Sequence, residues 1–216
     1  MCRYKYIFFD LDGTLTDPGI GITSSVMYAL KKYNIEVNQR NELYKFIGPP
    51  LLESFVKYYN FTEEEGNNAV KYFREYFKKT GIFENELYED TVEVLTLLKE
   101  KGYRLILATS KPIEFALTIL NYFDLMKYFD FVGGASMDET RRKKEEVIEY
   151  VINSLALEKE KNSILMVGDR KHDIIGATLN NIDSCGVLYG YGTEEELKSH
   201  NATYIINSLK ELLKIV

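Results

Sequence analysis

Asp10-Leu11-Asp12-Gly13-Thr14-Leu15-Thr16-Asp17 follows directly on the apolar run Tyr6-Ile7-Phe8-Phe9. A short run that is apolar throughout and rich in rings predicts a strand buried on both faces, as central strands of parallel sheets are. The acidic residues then arrive where the strand leaves the sheet, at the carboxyl edge where open α/β folds keep their chemistry. Two carboxylates two residues apart with a glycine next to the second make a short turn in which both can face one small ligand. A hard cation with a phosphate suits such a turn. Asp-Gly alone is ordinary turn chemistry, because both residues tolerate the required dihedrals.

The whole string says more. Asp10-x-Asp12-Gly13-Thr14-x-Thr16 resembles the first signature of the haloacid-dehalogenase-like (HAD) phosphohydrolases at every signature position. A lysine-free run after Asp10 sets it apart from transport ATPases in the same comparison, and the presence of Asp12 sets it apart from dehalogenases.

With 216 residues, 45% of them apolar, the chain is long enough for one α/β core and a small insert. A net charge of −6 and a pI near 5.2 speak against nucleic acid as a partner. Anionic small substrates would have to be drawn in locally, by a metal ion and a few placed cations. Cys2 and Cys185 are far apart and in no metal-ligand spacing, so neither a disulfide framework nor a zinc site is expected. No apolar run approaches bilayer length and a strand begins within a few residues of Met1, so the expectation is a cytoplasmic protein without signal peptide or anchor.

Beyond Asp17-Pro18, which reads as a helix start, helical spacing runs over Ile20–Tyr33, Asn41–Phe46, Leu51–Tyr59 and Glu63–Lys78, with no convincing strand before about Tyr88. Four helices exceed an ordinary crossover, so residues 17–88 are expected to form a helical cap inserted into a catalytic core made of 1–16 and 89–216. Gly48-Pro49-Pro50 interrupts the cap as a helix–helix turn or as a rigid loop over the acidic turn. The second half alternates strand and helix as a doubly wound sheet does. Strands are expected at Tyr103–Ala108, Phe129–Val132, Ser163–Val167 and Ser184–Leu188, with a last extended piece at Tyr204–Ile206. Helices are expected at Thr91–Lys101, Pro112–Tyr122, Lys144–Leu155, Asp173–Asn181, around Leu197, and at Ser208–Leu213, capped by Ser208.

Thr109-Ser110-Lys111-Pro112 follows the second core strand, placing hydroxyls and an ammonium beside a helix amino terminus, a spot suited to phosphate. On its residues alone Ser110 reads as a helix cap. Arg141-Arg142-Lys143-Lys144 opens an amphipathic helix and reads as a basic face of which one side chain points inward. Gly168-Asp169-Arg170-Lys171-His172-Asp173 puts two aspartates four apart at a strand-to-helix junction. His172, without a partner histidine or cysteine, is not expected to bind metal.

These stretches resemble the remaining HAD motifs, in the family's order and across essentially the entire chain. Gly186-Val187-x-Tyr189-Gly190-Tyr191-Gly192 is similar to a run of the phosphoglycolate-phosphatase-like branch, while Pro18 departs from the serine of many relatives. The resemblance implies a Rossmann-like parallel sheet of order 5-4-1-2-3 with the first strand between those carrying Ser110 and Asp169. It implies Asp10 as nucleophile, forming an aspartyl-phosphate, and Asp12 as general acid and base. Thr109, Ser110 and Lys144 (or the adjacent Lys143) would bind phosphate. Asp10, Asp12 through its main-chain carbonyl, Asp169 and Asp173 would hold Mg²⁺. Thr16, Lys45, Gly48 and Lys111 are candidates for substrate contact. The implied activity is hydrolysis of a small phosphomonoester, phosphoglycolate first and a nucleoside monophosphate next, then a β-phosphoglucomutase-like transfer or pyrophosphate hydrolysis. A phosphorylatable receiver-like switch is the non-enzymatic alternative. The expected partner is a small phosphorylated metabolite, with no nucleic acid or membrane, in a monomer or weak dimer. Tyr58, Tyr59, Tyr72, Phe73, Tyr76 and Phe77 form either the cap's own core or a stacking surface for a base.

Overall fold

The computed structural model describes residues 3–136 and 141–216, and Cys2 falls outside them. The chain divides into two compact units, Met1–Thr16 with Leu87–Val216, and Asp17–Glu86. In the first unit β1 (Tyr6–Phe9) is buried along its whole length. The chain leaves this unit through β2 (Thr16–Asp17) and re-enters through β3 (Glu86–Leu87), two short strands that form a small sheet of their own.

The second unit is helical: α1 (Gly19–Lys31), a 3₁₀ segment over Arg40–Phe46, α2 (Leu51–Tyr59), α3 (Glu63–Tyr76) and a π-turn over Phe77–Gly81. Its entry is set by Asp17, whose Oδ1 accepts a hydrogen bond from the Gly19 N–H at 2.9 Å. Thr62 and Glu65 form a reciprocal capping box at the start of α3. Phe73 and Phe77 are buried and stack at 5.3 Å, so these two rings belong to the unit's core. Tyr58, Tyr59, Tyr72 and Tyr76 are half-buried.

The first unit continues with α4 (Thr91–Glu100), β4 (Arg104–Pro112), α5 (Ile113–Tyr122), β5 (Phe131–Ala135), α6 (Lys144–Ser154), β6 (Ile164–Gly168), α7 (Lys171–Leu179), β7 (Asp183–Val187), α8 (Glu194–Ser199) and β8 (Tyr204–Ile206). The sheet order is β5-β4-β1-β6-β7-β8, all parallel. Taken in chain order this is the expected five-strand arrangement with a sixth strand added at one edge, the piece read from sequence only as extended. Phe9 pairs with Leu107 on one side and Val167 on the other, so the residues after β1, β4 and β6 emerge side by side at one edge.

Side chains alternate across the pleat. Tyr6, Phe8, Ile106, Ala108, Ile164 and Met166 pack with Val147, Ile148, Val151 and Ile152 of α6. Their neighbours Ile7, Phe9, Leu105, Leu107, Leu165 and Val167 are equally buried on the opposite face. Three expectations are corrected. No strand is expected from the sequence before about Tyr88, but β3 (Glu86–Leu87) lies there, too short for an apolar alternation to show and held by its pairing with β2. β4 runs on through Thr109, Ser110 and Lys111 to Pro112, pairing with β5 across a register shift, so Ser110 is a strand residue and not a helix cap. The last helical segment, Leu209–Lys214, is 3₁₀, and Ser208 makes no side-chain cap; Glu211 instead accepts the Asn207 N–H at 2.9 Å. Among the described residues no helix is long and apolar enough to cross a membrane.

Truncating a central strand should therefore be costly. Phe8→Ala is expected to lower unfolding free energy by about 3–5 kcal/mol in urea titration, whereas Leu179→Ala, at 62% exposure, should change it by less than about 0.5 kcal/mol.

Candidate active site

Asp10 leaves the end of β1 with its N–H donated to the Val167 carbonyl, which ties the start of the acidic turn to β6. The turn is wound tightly: the N–H groups of Thr14, Leu15 and Thr16 all donate to the Leu11 carbonyl, and Gly13 donates to Thr16. Gly13 adopts φ +81°, and a Cβ there would run into the Asp169 carboxylate, so the residue must be glycine for two reasons at once.

Lys144, the first residue of α6, is buried, and its ammonium lies 2.8 Å from Asp10 Oδ1, 2.8 Å from Asp173 Oδ1 and 3.0 Å from the Ala108 carbonyl. Glu146 accepts the Arg142 and Lys143 N–H groups, fixing the helix start so that Lys144 points inward. Lys143 is exposed. Gly176 of α7 leaves room for the lysine stem, since a Cβ there would press on Lys144 Cγ.

Asp169 and Asp173 are both almost fully buried but differ in what they are committed to. Asp173 Oδ2 accepts the Arg170 N–H at 3.1 Å, and its Oδ1 faces Lys144. Asp169 Oδ2 accepts the Tyr191 N–H at 2.7 Å, while its Oδ1 is buried with no hydrogen-bond partner. Asp10, Asp169 and Asp173 bring carboxylate oxygens within 4.8 Å of one another. A buried acceptor without a donor, inside a group of hard oxygens that outnumber the cation among them, fits a divalent ion of the magnesium type.

Asp12 turns the other way: its Oδ2 is ion-paired with Lys111 Nζ, with the two side chains 13% and 5% exposed. Thr109 is buried, its Oγ1 accepting the Lys111 N–H at 3.2 Å, and Ser110 is half-buried at the end of β4. Thr16 Oγ1 is buried without a hydrogen-bond partner. Thus Lys144 joins Asp10 and Asp173 directly, Asp169 stands within 4.8 Å of both carboxylates, and Asp12 with Lys111 forms a second pair on the adjoining turn. Lys45 and Gly48 belong to the helical unit, where Lys45 Nζ stands 4.5 Å above the Tyr58 ring and Gly48 has φ +101°. His172 lies outside the acid group, its pKa pushed down to about 4 by burial and then by Arg170 and Lys171.

Two contributors went unread in the sequence. The Tyr191 N–H orients Asp169, and the Tyr189 hydroxyl donates to the Thr14 carbonyl at 2.8 Å, bracing the acidic turn. The signal was present in the Tyr189-Gly190-Tyr191-Gly192 run, but a main-chain donor leaves no mark of residue type.

The residues from 7 to 187 match the model of the haloacid dehalogenase-like hydrolases. The chain belongs to this family. A 5'-nucleotidase of Pseudomonas aeruginosa is 42% identical to it, over 99% of this chain and 96% of that protein. The crystal structure of a predicted phosphatase from Clostridium acetobutylicum superposes with a TM-score of 0.94 at 49% identity, covering 98% of this chain and 97% of that one. A phosphoglycolate phosphatase of Colwellia psychrerythraea is 27% identical, over 97% of this chain and 95% of its own. This HAD protein is accordingly a phosphatase, with the Rossmann-like sheet that its sequence led us to expect.

Burial, followed by mutual repulsion with neighbouring acids, raises the Asp169 carboxyl well above the ordinary range. Burial likewise lifts Asp173 to about 6, against the pull of Lys144. Burial alone would lower the Lys144 ammonium, but Asp10 and Asp173 together raise it. A carboxyl raised in the fold binds protons that the unfolded chain releases, so its contribution to stability fades as pH rises through the folded value. The metal-free protein should therefore lose melting temperature as pH rises from about 4 through about 6, by several degrees, and Asp169→Asn should flatten that slope in a scan of thermal unfolding against pH.

Proposed function

We propose that this HAD phosphatase cleaves phosphomonoesters by in-line attack of Asp10 on phosphorus, with Asp12 as acid and then base, and that its substrate is a nucleoside 5'-monophosphate. The observation that carries the chemistry is the disposition of Asp10: a carboxylate at the end of the central strand, oriented through Oδ1 by a buried ammonium. A carboxylate so held is a preorganised nucleophile, and covalent capture splits one difficult displacement into two easier ones. Lys144 orients Asp10 and offsets charge on the transferring phosphoryl group, which passes through a loose transition state needing position and neutralisation above all. Ser110 and the Thr109 main chain, at the end of the neighbouring strand, supply donors to the phosphoryl oxygens.

Asp12 gives its proton to the leaving oxygen as the aspartyl-phosphate forms, then takes one from the water that hydrolyses it. Asp173 orients Lys144 and the start of α7. Asp10, Asp169 through its unpartnered Oδ1, and the Asp12 main-chain carbonyl would hold magnesium, which supplies charge neutralisation at the phosphoryl oxygens.

The nucleotide reading is favoured over phosphoglycolate by the 42% identity to a 5'-nucleotidase across nearly the whole chain, against 27% to a phosphoglycolate phosphatase. With magnesium supplied, kcat/KM for nucleoside 5'-monophosphates should exceed that for phosphoglycolate, pyrophosphate and β-glucose 1-phosphate by at least about tenfold, or 1.4 kcal/mol of transition-state binding. Asp10→Asn should show no turnover of any of them. A faster reaction with phosphoglycolate would overturn the substrate, and an active Asp10→Asn variant would overturn the mechanism.

A further inference from the structure

One strong contact near the acid group is explained neither by cation binding nor by capture of the phosphoryl group: the pair Lys111–Asp12. Lys111 sits in the irregular end of β4, where pairing with β5 shifts register between Thr109 and Pro112, and such a bulge re-aims a side chain. Its N–H is anchored on Thr109 Oγ1, and its ammonium meets Asp12 Oδ2 with both side chains largely out of water. Asp12 Oδ1, also buried, has no hydrogen-bond partner. The two oxygens of this carboxyl group are therefore not equivalent.

We propose that Lys111 is a positioning residue for Asp12, holding Oδ2 so that Oδ1 is the atom through which the proton passes. This rests on the reading of Asp12 as acid and base given above. A charge-assisted bond is about twice as strong as a neutral one, and a proton placed on Oδ2 would forfeit it. In the first step the Asp10–phosphorus bond forms and the ester P–O bond breaks, the proton moving from Asp12 Oδ1 to the leaving oxygen. In the second a water oxygen bonds to phosphorus, the Asp10–phosphorus bond breaks, and Asp12 Oδ1 takes the proton that water gives up. The balance is one ester and one water to one alcohol and one phosphate, with no further reagent. Fixing the carboxyl plane matters because a turn of the group about its own axis would otherwise exchange the two oxygens.

The test compares first-turnover rates, in magnesium, for p-nitrophenyl phosphate, whose leaving group needs little protonation, and an alkyl phosphate, which needs it. The variants are Lys111→Met, Lys111→Arg, Asp12→Asn and the double variant Lys111→Met/Asp12→Asn. Lys111→Met should slow the alkyl ester by about 10- to 100-fold and p-nitrophenyl phosphate by less than about threefold, within the range that general-acid help spans. KM should stay within about threefold, Lys111→Arg should recover most of the loss, and Lys111→Met should add little in the Asp12→Asn background. Equal slowing of both esters, a rise in KM alone, or full additivity in the double variant overturns the proposal and makes Lys111 a structural or substrate-binding lysine. If Asp12→Asn itself slows both esters equally, the acid-base reading of Asp12 falls and takes this proposal with it. The arginine variant guards against a folding defect, since it retains the charge in a side chain of similar length.

Discussion

An ammonium held 2.8 Å from two carboxylate oxygens, with Lys144, Asp10 and Asp173 all nearly cut off from water, sets the terms for the rest of the catalytic unit. Removing either kind of partner from such a buried pair is expensive, of order 3–5 kcal/mol, because the remaining charge is left uncompensated. One ammonium nevertheless serves three acids once Asp169 is counted. At separations of no more than 4.8 Å each like-charged pair costs roughly 3.5 kcal/mol or more at an effective dielectric near 20. The fold thus carries an excess of buried negative charge that only a further cation, a proton or a reaction partner relieves.

Much of the architecture can be understood as what it takes to hold that arrangement. β1 lies between β4 and β6, so Asp10 is flanked by the ends of both. α6 begins at Lys144 because Glu146 satisfies the N–H groups before it, and α7 begins beside Asp173 because that residue accepts the Arg170 N–H. The apolar contact of α6 with the sheet, through Val147, Ile148, Val151 and Ile152, supplies burial energy of roughly 1.5–3 kcal/mol per side chain. The repulsion among the buried acids is thereby offset by apolar packing immediately behind them.

The parts of this that could be read from the chain were those carried by residue type and local period. The ring-rich run before Asp10, the glycine at 13 and the order of the motifs led to the sheet and its family. The helices of the inserted unit followed from apolar spacing to within a few residues. What could not be read was non-local. The extension of β4 to Pro112 depends on pairing with Phe131–Ala135, more than twenty residues further along, and that pairing overrode the capping tendency of Ser110. The choice between Lys143 and Lys144 turned on which side of α6 met the sheet. Lys111 was read as a substrate contact, because nothing in the sequence placed it against Asp12. The Tyr191 N–H was invisible for the reason that any backbone donor is: every residue but proline has one.

The claim that matters most is that the buried acids form an under-compensated group built for a divalent cation. It is tested by the melting temperature of the wild-type protein and of Asp169→Asn, each with chelator and with saturating magnesium. A ligand present at a hundred times its dissociation constant adds about 2.7 kcal/mol of stability, which is several degrees for a chain of this size. The account predicts that magnesium raises the wild-type value by that amount, that Asp169→Asn melts higher than wild type in chelator, and that magnesium no longer raises it. A variant that melts lower than wild type in chelator and still gains the full magnesium shift would contradict the account.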